Sequence, residues 1–118
     1  MIQLEEGCFQ PQLRISFKNS IAMGPGKVCL LSAIEETGSI SGSARKLGMS
    51  YRRAWVLVAT MNQSFREPVV KTLTGGSRGG GAEVTEFGKE IIRRYLRMAK
   101  KAKESVREDM EAFATLLA

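Results

Sequence analysis

The chain has 118 residues, a formal net charge of +6 and no histidine. That length supports one domain with a true core and needs no disulfide or metal staple. The missing histidine excludes a Ser-His-Asp triad, a Cys-His pair and an ordinary zinc site, so no enzyme, metal or cofactor is expected. The positive excess favours a polyanionic partner without by itself separating DNA from RNA or anionic lipid.

Cys8 and Cys29 are too few to staple a fold and read as two reduced thiols. No apolar run reaches membrane-spanning length, and Met1 to Glu6 lacks the basic and apolar regions of a signal peptide. A cytoplasmic protein with no membrane partner is the expectation.

In chain order, residues 1–11 show no period and are read as a flexible N-terminus. Leu13, Ile15 and Phe17 alternate with Arg14, Ser16 and Lys18, the period of a half-buried strand, and its only other strand candidates lie in a later hairpin. Asn19 to Gly24 is rich in turn residues. Pro25 is a favoured first helical residue, and Val28, Leu31 and Ile34 follow at spacings of three, which predicts a helix over 25–37.

The stretch from Thr37 to Trp55 predicts two helices meeting at a tight turn. Gly38 can end the first helix in the left-handed conformation. Ser39 can then cap a short helix carrying Ile40, Ala44 and Leu47. Gly48 stops that helix, and Ser50 is placed to cap another, whose apolar positions are Ala54, Leu57, Val58, Met61 and Phe65. At about 100° per residue, Arg52, Val56, Ala59 and Gln63 fall on the opposite face. With the first turn Ser50-Tyr51-Arg52-Arg53, this face supplies hydroxyls and guanidinium forks suited to phosphates and to the edge of guanine, and Val56 suits a thymine methyl. The plainer reading is a pair of surface arginines and a scattered surface valine. The Gly and Ser punctuation around them favours a helix-turn-helix DNA reader.

Pro68 ends the helical pattern. Residues 69–74 are β-prone, residues 75–81 form a tip of glycines around Ser77 and Arg78, and residues 82–85 can return as a second strand. This predicts a wing, with Arg78 placed against phosphate or minor groove; a flexible linker is the plainer reading. A P-loop is excluded because Gly81 is followed by Ala82-Glu83 rather than Lys and a hydroxyl, and a dinucleotide fold because strands are too few.

Thr85 can cap a last helix running from Glu86 nearly to Ala118. Its stripe of Phe87, Ile91, Tyr95, Ala99, Ala102, Val106, Phe113 and Leu116 is too long for a small domain to cover, which predicts a second copy of the chain as partner. A monomer with a solvated basic face and frayed tail is the plainer reading. Seven basic residues against two carboxylates give residues 86–103 a net charge of +5, whereas residues 104–118 carry −3.

The motifs Glu36-Thr37-Gly38-Ser39-Ile40-Ser41, Gly48-Met49-Ser50-Tyr51-Arg52-Arg53-Ala54-Trp55, Met61-Asn62 and Thr74 to Ala82, followed by Thr85 and Gly88, stand in the order and near-identical spacing of a known group. The chain resembles the N-terminal DNA-binding domain of ModE-type molybdate-responsive regulators and, more loosely, the LysR-type winged helix-turn-helix. The resemblance covers roughly Leu13 to Lys103. It implies a dimer on a palindromic operator, with the last helix contributing to dimerisation. In that family a C-terminal β-barrel module binds oxyanion. No Ser-Ala-Arg-Asn-type motif occurs here, so molybdate binding is not carried over, and a regulator without a sensor module, or with an effector arriving through another protein, is the expectation.

The expected fold is mainly α with a small β-hairpin: a winged helix-turn-helix over 12–85 and a long dimerisation helix over 86–118. The expected function is sequence-specific binding of double-stranded DNA by a homodimer that regulates transcription. The alternative is a winged-helix module for a protein or RNA partner. Candidate DNA contacts are Ser39, Ser50, Tyr51, Arg52, Arg53, Val56, Gln63, Arg78 and Lys89. Candidate dimer contacts are Tyr95, Ala99, Ala102, Val106, Phe113 and Leu116.

Overall fold

Three helices build the core, and a computed structural model describing residues 10–73 and 81–118 shows how their ends are set. Helix α1 (Pro25–Thr37) opens on its proline and closes at Gly38, whose φ of 73° is left-handed. Helix α2 (Ile40–Leu47) is capped by the Ser39 hydroxyl, which accepts from Gly42 N, and ends at Gly48 with φ 69°. Helix α3 (Tyr51–Ser64) is capped by Ser50, which accepts from Arg53 N. Each boundary follows from a local residue choice. Phe65 lies one residue past α3, in extended backbone rather than in the helix.

The apolar faces meet as the spacing requires. Val28, Leu31 and Ile34 of α1, Ile40 and Ala44 of α2, and Ala54, Val58 and Met61 of α3 are all buried. Leu30 and Ala33 are buried as well, since α1 is packed on more than one side. At the α1–α2 corner, the hydroxyls of Thr37 and Ser43 lie 2.9 Å apart, and Ser43 Oγ also donates to Ser39 O at 2.7 Å. Fully buried Ser43 is thereby satisfied.

The wing is an antiparallel pair, β3 (Val70–Leu73) with β4 (Gly81–Val84), in register Val70↔Val84 through Leu73↔Gly81. It is tied to the helices from both strands. Ala82 N donates to Gly38 O at 2.9 Å, and Asn62 of α3 holds the start of β3. The tip, residues 74–80 including Arg78, lies outside the described residues. So do residues 1–9, with Cys8 and most of the expected flexible N-terminus.

Further expectations are corrected. The early strand β1 (Ile15–Phe17) pairs not with the wing but with β2 (Ser20–Met23), an antiparallel hairpin in the segment expected to be only a turn. Lys18 takes φ 55° to close the reversal between them. The hairpin is favoured because Ala22 and Met23 are buried against the helices, a tertiary gain invisible to local turn propensity.

The last helix is also not continuous. Helix α4 (Glu86–Ser105) stops at Val106 and α5 (Arg107–Ala114) begins there. Ser105 Oγ donates back to Ala102 O at 2.8 Å, a contact that bends helices. The charge pattern favours the same break, with Lys103 in the last turn of α4 and Glu108 and Asp109 in the first turn of α5, each at the matching end of a helix dipole.

Tyr95, expected at a dimer contact, is instead part of the chain's own core. It is 4% exposed, and its hydroxyl donates to Leu13 O at 2.6 Å, tying α4 to the segment before β1. Burial raises the phenol above its ordinary pKa, with a smaller opposing influence from Arg14. Ala99, Ala102 and Val106 are half-buried, and only Phe113 and Leu116 of that set are well exposed. Among the described residues no helix is long and apolar enough to cross a membrane.

Candidate nucleic-acid interface

Helix α3 divides as its periodicity predicts. Ala54, Val58 and Met61 face the core, while Arg52, Arg53, Val56, Ala59 and Gln63 are exposed. Neither Arg52 nor Gln63 is packed beneath the wing. Among the described residues no carboxylate pairs with Arg52 or Arg53, so both guanidinium forks stay available to an anion or a base edge. Val56 is 56% exposed beside them, which costs apolar hydration unless a partner covers it.

Ser50 has a structural duty, since its hydroxyl caps α3. Ser39 does the same for α2. These two hydroxyls set the helix ends and place Tyr51, Arg52 and Arg53 on the exposed first turn of α3.

Tyr51 and Ser39 share a cleft with residues that sequence reasoning did not single out. It is about 190 Å³ in volume, lies between α2, α3 and the wing, and is lined by Ser39, Ile40, Ser41, Tyr51, Trp55, Thr72, Leu73 and Gly81. Trp55 was hidden by its place beside the apolar stripe. Thr72 belongs here only because the wing folds onto α2.

Lys89 stands apart. Its ammonium is 3.3 Å from the Glu86 carboxylate, and it borders a depression also lined by Glu35, Gly38 and Glu83. Further along α4, Glu90 binds both Arg93 and Arg94, and those hydrogen bonds, Arg94 first, hold its carboxyl below the usual range. Arg97, Lys100, Lys101 and Lys103, all exposed, continue the basic surface along α4.

Asn62, quoted above only as part of a motif, has a role that sequence reasoning did not assign. Its amide donates to Val70 O at 3.1 Å and accepts from Val69 N at 2.8 Å and Val70 N at 3.2 Å. It therefore fixes the angle between α3 and the wing. A polar residue beside buried Met61, shortly before Pro68, was the available signal.

No protein-family model matches the chain. It is 48% identical over 73 residues to the molybdenum-pterin-binding protein MopB of Rhodobacter capsulatus, covering 62% of this chain and 27% of MopB. With the transcriptional regulator ModE of Yersinia pestis it shares 35% over 109 residues, covering 90% of this chain and 41% of that protein. With the DNA-binding transcriptional dual regulator ModE of Escherichia coli K12 the figures are 36% over 83 residues, 70% and 32%. The chain thus spans about a quarter to two-fifths of the length of these relatives. Among solved structures, ArgP from Mycobacterium tuberculosis superposes with a TM-score of 0.51 at 19% identity over 71% of this chain and 30% of that one, a likeness of fold alone. The chain folds as a winged helix-turn-helix and is similar, over most of its own length, to the ModE transcriptional regulators and to MopA and MopB.

Proposed function

We propose that the chain regulates transcription by binding double-stranded DNA as a homodimer, each α3 entering a major groove. The observation that carries this reading is the outward face of α3, where Arg52, Arg53, Val56 and Gln63 are exposed together beside the wing. The Escherichia coli relative described as a DNA-binding regulator supports it. Two symmetric copies would read half-sites about one helical turn apart, roughly 34–36 Å.

The test is selection of duplexes from a random pool, followed by titration of the selected and a scrambled duplex at several salt concentrations. A steep loss of affinity with salt and a clear preference for the selected duplex are expected. Tighter binding to single-stranded RNA, or binding insensitive to salt, would point instead to an interaction module.

Arg52→Ala is expected to cost about 1–3 kcal/mol on the selected duplex and to relax its sequence preference. Equal losses on selected and scrambled DNA would remove Arg52 from base reading. Lys89→Ala should weaken all duplexes alike, and its effect on the salt slope should be below about one charge because Glu86 already pairs with the ammonium.

The homodimer reading rests on α4 and α5. Met98, Leu116 and Leu117 are 44%, 77% and 51% exposed, an apolar surface the single chain leaves in water. Charge sets the direction of pairing. A parallel arrangement would lay the +5 segment on itself, whereas an antiparallel one lays the acidic segment of one copy along the basic segment of the other. Doubly substituted Glu108→Lys, Glu111→Lys is expected to raise the dimer dissociation constant several-fold at low salt and little at high salt, measured by sedimentation equilibrium. A wild-type chain that stays monomeric at all salt concentrations would refute the dimer, and a dimer indifferent to the substitution would refute its antiparallel direction.

A further inference from the structure

Between residues 10–13, the start of α1 and the second half of α4 lies a cavity of about 210 Å³ whose described lining is mostly apolar. Val28 and Tyr95, which line it, are buried, so part of its wall is the domain's own core. Leu13, Leu96 and Ala99 pack against that core and stay partly exposed. Lys100 and Lys103 are the only charged residues among those described as lining it. They stand one helical turn apart on α4. Among the described residues no carboxylate pairs with either. The Tyr95 hydroxyl is already committed to Leu13 O at 2.6 Å, which leaves the two ammonium groups as the charged donors.

Gln10, Pro11, Lys100 and Lys103 also line a larger cavity of about 550 Å³ that reaches past the α4–α5 break to Met110 and Ala114. There Glu104 and Glu111 accompany Arg107, so an anion is better placed in the smaller cavity, where no carboxylate opposes it. An occupant of the smaller cavity is therefore apolar over most of its surface and carries negative charge at one end. Size narrows the class further, since an apolar cavity of roughly 150 Å³ accommodates a benzene ring.

We propose that this cavity binds a small aromatic monocarboxylate, its ring against Val28, Leu96 and Ala99 and its carboxylate between Lys100 and Lys103. The ring displaces water from apolar wall, and the carboxylate relieves the repulsion between two like charges on one helix face while gaining charge-assisted hydrogen bonds. Because the wall is drawn from three segments, occupancy ties residues 10–13 and α1 to α4 and stabilises the fold.

The test titrates the full chain with benzoate by calorimetry and follows the thermal midpoint and the methyl resonances of Val28 and Ala99. Benzamide, with the ring and no charge, and inorganic phosphate, with charge and no ring, are the comparison probes. Benzoate should saturate one site per chain, raise the midpoint and shift both methyls, with benzamide and phosphate weaker by about tenfold or more. Doubly substituted Lys100→Gln, Lys103→Gln should weaken benzoate by about tenfold or more. Both lysines are exposed, so the unliganded variant should melt no lower than the wild type. Lys18→Gln, Lys71→Gln removes the same charge from the first hairpin and the wing, and should change benzoate affinity less than about twofold.

No saturable benzoate binding up to about 10 mM would overturn the site. So would equal binding of benzamide or phosphate, unshifted Val28 and Ala99 methyls in the saturated protein, or unchanged affinity in Lys100→Gln, Lys103→Gln.

Discussion

Gly88→Ala is expected to destabilise the fold by about 2–3 kcal/mol, lowering the thermal midpoint by roughly 10 °C. The sign is informative, because helix propensity alone favours alanine by up to about 1 kcal/mol within a helix. Here an added Cβ would overlap Val69 O and stand 2.8 Å from Val84 Cγ1. Neither neighbour can simply withdraw. Val69 O accepts from Thr85 N at 3.0 Å, and Val84 is paired with Val70 in the wing. Thr85 also caps α4 through Gly88 N and donates to Pro68 O, so displacing α4 disturbs the cap, the wing and the end of the preceding loop at once. A thermal melt of the variant decides the matter, and an unchanged or higher midpoint would show that the close packing of α4 on Val69 is not as described. Because the wing flanks α3, duplex affinity should fall along with stability.

Asn62→Ala carries the second large effect, about 2–4 kcal/mol. Its amide serves three backbone groups of Val69 and Val70, residues 0% and 3% exposed. Alanine would leave those donors and the acceptor without a partner, and each buried unsatisfied group costs about 1–3 kcal/mol. Part of the loss is recovered where water reaches the opened site. Urea denaturation measures the total, and amide exchange at Val69 and Val70 localises it. Fast exchange there with the α1–α3 core still protected is the expected pattern; uniform protection would mean that the strand pairing, not Asn62, holds the wing. The wing would then sit at a variable angle to α3, and affinity for duplex should fall more than global stability alone accounts for.

Both effects fall on residues whose importance is set by long-range contacts, and this divides what the chain reveals in one dimension from what it reveals in three. Short-range chemistry was readable directly. Pro25, Gly38, Ser39, Gly48, Ser50 and Thr85 each act through their own backbone or a neighbour three to four residues away, so both ends of α1 and α2 and the starts of α3 and α4 follow from residue type. The exposed face of α3 was equally legible, since a period of 3.6 residues commits Arg52, Val56 and Gln63 to one side once Ala54, Val58 and Met61 take the other.

The remaining features depend on which surfaces meet. Three-residue β1 could not choose a partner by propensity; it pairs with β2 because that hairpin buries Ala22 and Met23. The apolar stripe of the last helix ran on past a single interruption at Asp109, yet Tyr95 is consumed by the domain's own core, and Val106 breaks the helix that periodicity alone would continue. Trp55 and Thr72, seventeen residues apart, line one cleft only after the wing folds back on α2. The amino-acid order by itself therefore determined helices α1 to α3, the caps and the outward face of α3, because those rest on interactions within one or two helical turns. Tertiary structure alone decided the strand pairing, the break after α4, the intolerance of Gly88 for a side chain and the shape of the cleft, because each is set by close contacts between segments distant in sequence.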